Sequence, residues 1–200
     1  QDLEKSSLPQ PLLTIDRIIS ETIPSVCVDN YAGGRMAAEH LLERGCHRLV
    51  YISGSKDMDM DANKRWTGFR DVCLERGVGE PHVIDAQEEL FIRMEYRDLI
   101  RKLFRRYPET DGIFASNDII AVQVLQYCAE ADIPVPERLK VVGYDDVELA
   151  SLCIPQLTTI HQPVDAICRC AVQNILAAAR GETIPNRVTF PVTLVVRQSS

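Results

Sequence analysis

Short apolar runs alternate with helical stripes along most of this chain. Pro11–Ile15, Ser25–Val28, Leu49–Ile52, His82–Ile84, Gly112–Ala115, Val141–Tyr144 and Leu157–Ile160 are brief apolar runs closed by polar or turn residues. That pattern predicts buried strands. Between them, apolar residues recur every three or four positions. Residues 32–44 turn Met36, Ala37, Leu41 and Leu42 inward and stop at Gly45, and residues 64–75 do the same with Phe69, Val72 and Cys73. Residues 91–107 read as one charged helix with Leu99, Ile100, Leu103 and Phe104 on one side. The helix after Asn117 runs through Ala131, and residues 164–180 keep an unbroken helical period up to Gly181. A last strand is predicted over Val192–Val196, while residues 1–10 are polar and read as a frayed helix end. Strands alternating with helices predict βαβ units, hence an α/β fold of mostly parallel sheet with helices on both faces.

In an open sheet of this kind ligands bind outside the carboxyl ends of the strands. Polar residues collect there: Asp16 after Ile15, Asn117 and Asp118 after Ala115-Ser116, Asp145-Asp146 after Tyr144, and His161-Gln162 after Ile160. Arg65 opens a helix, and its planar donor fork suits vicinal oxygens. Together these groups read a polyol by complementary hydrogen bonds. Each position has a plainer alternative. Asp118 reads as the cap of the helix it begins, Asp146 as a turn residue, and Arg65 as a surface residue of its helix.

The wording of these stretches is specific. GYDD, then IPQLTTIHQP, a long amphipathic helix and a closing VVRQSS resemble the lactose-repressor/galactose-repressor (LacI/GalR-type) transcription regulators. PSVCVDNYAGGRMAAEHLLERGCHRLVYISG, RWTGF, GIFASNDIIAVQVL and ADIPVPERLKVVGYDD extend the match over nearly the whole chain, in that family's order and spacing. The resemblance implies a type I periplasmic-binding-protein-like fold of two lobes, the first incomplete. Residues 1–27 and 163–190 would belong to the first lobe, and 28–162 with 191–200 to the second. The DNA-binding headpiece and the first two βα units would lie outside the chain. The resemblance also assigns roles: Arg65 clamps effector hydroxyls, Asn117 and Asp145 add polar contacts, and Asp16 contributes a carboxylate from the other lobe. Phe91, or Leu90 beside it, would supply an apolar platform, Gln162 would line the crossover between lobes, and Asp61 would border the ligand. Two segments, carrying Ile119 and Val122 and then Leu149, Leu152 and Ile154, would build a two-fold interface between copies of the chain.

Composition narrows the remaining classes. The 200 residues are 46% hydrophobic and 26% charged, enough to bury a core without staples. A net charge of −7 repels a phosphate backbone, so operator DNA would be reached only through the absent headpiece. The seven cysteines form no CxxC pair and read as small buried hydrophobes of a cytoplasmic protein. The alternating acids of Asp57–Asp61 lack the Gly and Glu of a calcium loop, with Ala62 and Gly68 at those places. No metal or cofactor is therefore expected. A periplasmic solute-binding protein of a sugar transporter shares the fold and is the alternative, disfavoured by the cysteine count and the motif wording. An enzyme using Asp145 or His161 lacks a nucleophile, a metal set and a phosphate loop.

Overall fold

The computed structural model describes residues 10–54, 61–86 and 88–200, with only the backbone of residues 88, 89 and 91. Two sheets organise the chain. Strands β1 (Thr14–Ile15), β2 (Ser25–Val28) and β8 (Arg187–Phe190) form a three-stranded parallel sheet in the order β1-β2-β8. The second sheet has six strands: β3 (Leu49–Ser53), β4 (His82–Asp85), β5 (Gly112–Ala115), β6 (Lys140–Asp145), β7 (Thr158–His161) and β9 (Thr193–Val195). Their order is β4-β3-β5-β6-β7-β9, parallel except for the last pair.

Alternation along the strands divides the core into two layers. Tyr51, Phe114, Val142 and Tyr144 face helices α1 (Asn30–Glu43) and α2 (Lys64–Glu75), where Leu41, Phe69 and Val72 pack on them. Val50, Ile52, Ile113 and Val141 face the other way, onto Ile100, Leu103, Ile120 and Val124. Those residues come from α4 (Arg97–Arg106) and α5 (Asp118–Glu130). Helix α7 (Val164–Ala179) buries Ile167 and Ala171 against the small sheet, and Gly181 follows it at φ +78°, a left-handed ending.

Three elements differ from the pattern-based expectation. The charged segment 91–107 is two helices, α3 (Glu88–Arg93) and α4, because Gln123 holds the break between them. Its side chain accepts from the Tyr96 amide at 2.8 Å and donates to the Met94 carbonyl at 2.8 Å. Strand β8 is an addition to the expected elements: Arg187-Val188-Thr189-Phe190 alternates polar and apolar, but it is only four residues between Pro185 and Pro191, and its pairing with β2 makes it a strand. Residues Glu148–Leu152 form a short helix, α6. Four cysteines are buried, but Cys168 is exposed, on the solvent side of α7. No described helix is long and apolar enough to cross a membrane.

Candidate functional site

Arg65 is the centre of the polar residues at the strand ends. It begins the second helical position of α2 and is buried, which a guanidinium tolerates only when its donors are held. Its Nε donates to Asn30 Oδ1 at 2.7 Å and its Nη1 to the Ser116 carbonyl at 2.6 Å. The guanidinium carbon lies 3.5 Å from the centre of the Tyr144 ring, in cation–π contact. Two carboxylates face it at longer range: Asp145 Oδ1 lies 3.7 Å from Nη1 and Asp16 Oδ2 lies 4.0 Å from Nη2. Those gaps exceed a direct hydrogen bond, so a guest oxygen can bridge fork and acid.

The backbone places these groups under strain. Asp16 (φ 53°), Asp145 (φ 111°) and Asp146 (φ 57°) all adopt left-handed conformations that non-glycine residues rarely visit. Asp145 is the last residue of β6, and Gln162 Nε2 holds its Oδ1 at 2.7 Å. Asp146 is turned away from the cleft onto Arg197 Nη2 at 2.6 Å and His161 Nδ1 at 2.9 Å. Burial pushes the carboxyls of Asp16 and Asp145 above the ordinary value, and the Arg65 charge pulls both part of the way back.

Two close helix contacts set Arg65 in place. A Cβ on Gly34 of α1 would lie 2.0 Å from the Arg65 carbonyl oxygen, and one on Gly68 of α2 would lie 2.1 Å from the Tyr31 carbonyl oxygen. The two helices therefore cross backbone to backbone, which brings Asn30 within reach of Arg65. Gly33 gives the same clearance to the Tyr144 ring, where a Cβ would meet Cε2 at 2.7 Å.

Of the residues singled out from the sequence, Asp16, Arg65, Asp145 and Gln162 come together here. Asp61 joins through Asn30, whose Nδ2 donates to Asp61 Oδ2 at 3.0 Å, and it also pairs with Lys64 Nζ at 2.5 Å. The rest of the Asp57–Asp61 loop and the Phe91 side chain lie outside the described residues. Asn117 Oδ1 accepts from the Ile120 amide at 2.9 Å, so it is Asn117 and not Asp118 that caps α5. Asp118 is instead 1% exposed and braces the turn after β6. It accepts from Thr159 Oγ1 at 2.6 Å and from the Val147 amide at 2.9 Å. Sequence reasoning missed Asn30, Ser116 and Tyr144. For Asn30 a signal existed: Asp29 alone caps α1 by accepting from Ala32, so the second capping-type residue was surplus.

Burial pushes the Asp118 carboxyl up to about 7 from an ordinary 3.8. Its folded state thus keeps a proton that the unfolded chain releases, so stability falls as pH rises between about 4 and 7. Asp16 and Asp145 add slopes of the same sign. Asp118→Asn still accepts from the Val147 amide through its oxygen and meets Thr159 Oγ1 with a donating Nδ2, so two hydrogen bonds remain without the buried charge. It should raise stability at pH 8 by on the order of 2 kcal/mol and leave it unchanged near pH 4. Melting curves across that range check it, and a variant less stable at pH 8 contradicts it.

The apolar positions assigned to an interface lie on a different face. Leu152 and Ile154 are 67% and 90% exposed, and Ile119 and Leu149 are also open to solvent. Val122 differs: it is 5% exposed and packs in the core beside Ile120 and Val124. It floors a groove of about 580 Å³ shared with Leu90, Met94, Ile119 and Leu149.

Residues 38–200 match the family described as periplasmic binding protein-like domain. The ribose operon repressor of Halalkalibacterium halodurans is 32% identical over 198 residues, covering 98% of this chain and 58% of that protein. The sucrose operon repressor of Streptococcus mutans is 30% identical over 202 residues, covering 99% of this chain and 59% of that protein. The chain thus spans about three fifths of the length of these curated relatives. Among solved structures, a transcriptional regulator CelR–cellobiose complex superposes with a TM-score of 0.85 at 30% identity, over 94% of this chain and 58% of that one. A periplasmic binding protein/LacI transcriptional regulator from Alkaliphilus metalliredigens complexed with D-xylulofuranose gives 0.85 at 26% identity, over 98% of this chain and 73% of that one.

Proposed function

The chain belongs to the periplasmic-binding-protein-like domain family in its LacI-type regulator branch, and from that premise we propose that it is the effector-binding and dimerisation region of a sugar-responsive transcriptional regulator. The observation that carries the reading is the half-satisfied fork of Arg65. Two of its contacts fix its plane, while Asp145 and Asp16 stand 3.7 and 4.0 Å away, at a spacing that a bridging hydroxyl closes. Arg65 sits among Asp16, Asp61 and Asp145, and this acidic excess favours an uncharged sugar over a phosphorylated one. The relatives named above are operon repressors of ribose and sucrose, or are bound to cellobiose and D-xylulofuranose. Asp16 follows a strand of the small sheet and Asp145 ends a strand of the large one, so an effector between them bridges the two. Its differential affinity then shifts the population of arrangements between the sheets. The cleft binds and does not catalyse, the protein acts in the cytoplasm, and operator DNA is contacted through a headpiece outside this chain. A thermal-shift screen of D-ribose, D-xylulose, sucrose and cellobiose, each beside its phosphorylated counterpart, tests the reading. Stabilisation by at least one neutral sugar is expected, and stabilisation by the phosphorylated forms alone would overturn it.

The exposed Leu149, Leu152 and Ile154, with Ile119 beside them, form the face on which two copies associate. Light scattering at micromolar concentration should give a dimer mass, and Leu152→Asp should give a monomer that still folds. A dimer indifferent to that aspartate would remove this face from the account.

A further inference from the structure

Buried polar side chains in folded proteins almost always find partners, and each exception asks for a cause. Among the described residues three buried side-chain atoms have none: Asp16 Oδ1, Ser116 Oγ and Tyr144 OH. All three belong to residues that touch Arg65. Asp16 is its distant ion pair, the Ser116 carbonyl accepts from its Nη1, and the Tyr144 ring lies under its guanidinium. Among the described residues no other buried side-chain nitrogen or oxygen lacks a partner, so this shortfall is confined to one spot.

We propose that Ser116 and Tyr144 are specificity-determining residues of the effector site, whose hydroxyls are held unpartnered until a sugar engages them. This rests on the reading of the cleft as a sugar site. Arg65 covers both residues in the free protein, one through its fork and the other through its face. A guest that bridges Arg65 to Asp145 and Asp16 comes to lie beside both residues, with the fork held in place. The two protein hydroxyls each donate and accept, while the carboxylate oxygen of Asp16 accepts. The matching ligand therefore carries neighbouring hydroxyls that can do both. A deoxy analogue would leave Ser116 or Tyr144 buried without a partner, which is the condition under which a binding site discriminates most sharply.

The test exploits opposite signs. In the free protein an unpartnered hydroxyl contributes nothing, so Ser116→Ala and Tyr144→Phe should leave the melting temperature unchanged or raise it. Calorimetric affinity for whichever of D-ribose, D-xylulose, sucrose and cellobiose binds the wild type should fall about tenfold in each variant. Ser116→Thr, which restores a hydroxyl, should recover it. A lowered melting temperature in the alanine and phenylalanine variants would mean that the hydroxyls are already partnered, and would overturn the proposal. So would unchanged affinity, with the sugar-site reading left standing. A wild type that binds none of the four sugars would end that reading and this inference together.

Discussion

Gly34→Ala and Gly68→Ala should each destabilise the protein by at least about 3 kcal/mol, at the top of the range for overpacked interiors. The added methyl groups meet backbone carbonyl oxygens at 2.0 and 2.1 Å, and a main chain cannot rotate away as a side chain does. Helices α1 and α2 would have to part by roughly an ångström, breaking the packing of Leu41, Phe69 and Val72 between them. Gly45, whose added Cβ meets nothing within 4 Å, is an internal comparison. Its φ of +81° makes alanine there mildly costly through strain alone. Chemical denaturation of the three variants separates the cases. Gly34→Ala or Gly68→Ala with near-native stability would contradict the backbone-to-backbone crossing.

Arg65→Ala should weaken effector binding by about 2–5 kcal/mol, from some thirtyfold to several thousandfold. The loss has two parts. The fork's donors disappear, and the carboxylates of Asp16 and Asp145, which its charge pulls down, are left facing one another. Arg65→Lys should recover little, because an ammonium cannot reach Asn30 and the Ser116 carbonyl together while lying flat on Tyr144. A lysine variant that binds as the wild type does would show that charge alone suffices.

Much of the fold was legible because apolar period and strand-end chemistry agreed along the chain. The failures share one physical cause, namely that a side chain's job is set by a partner distant in sequence. Asp29-Asn30, Asn117-Asp118 and Asp145-Asp146 are pairs of interchangeable turn and cap formers when read in isolation. In the fold each pair divides its work. Asp29 and Asn117 cap helices, which frees Asn30 for Arg65 and Asp118 for Val147 and Thr159. Asp146 is spent on Arg197 and His161, which leaves Asp145 for the cleft. The helix break at Met94–Tyr96 depends on Gln123, and β8 exists through its register with β2; neither contact is local. The pair Gly33-Gly34 lacks a phosphate-loop pattern, and only the crossing of α1 over α2 gives it a function.

In the proposed site Asp145 and Arg65 jointly hold a neutral sugar at the carboxyl ends of the strands. Isothermal titration of the wild type and Asp145→Ala with the stabilising sugar from the screen tests it most directly. The wild type should show one site per chain, with affinity at least about thirtyfold weaker in Asp145→Ala. Equal affinity in the two proteins would place the sugar elsewhere and remove Asp145 and Arg65 from its site.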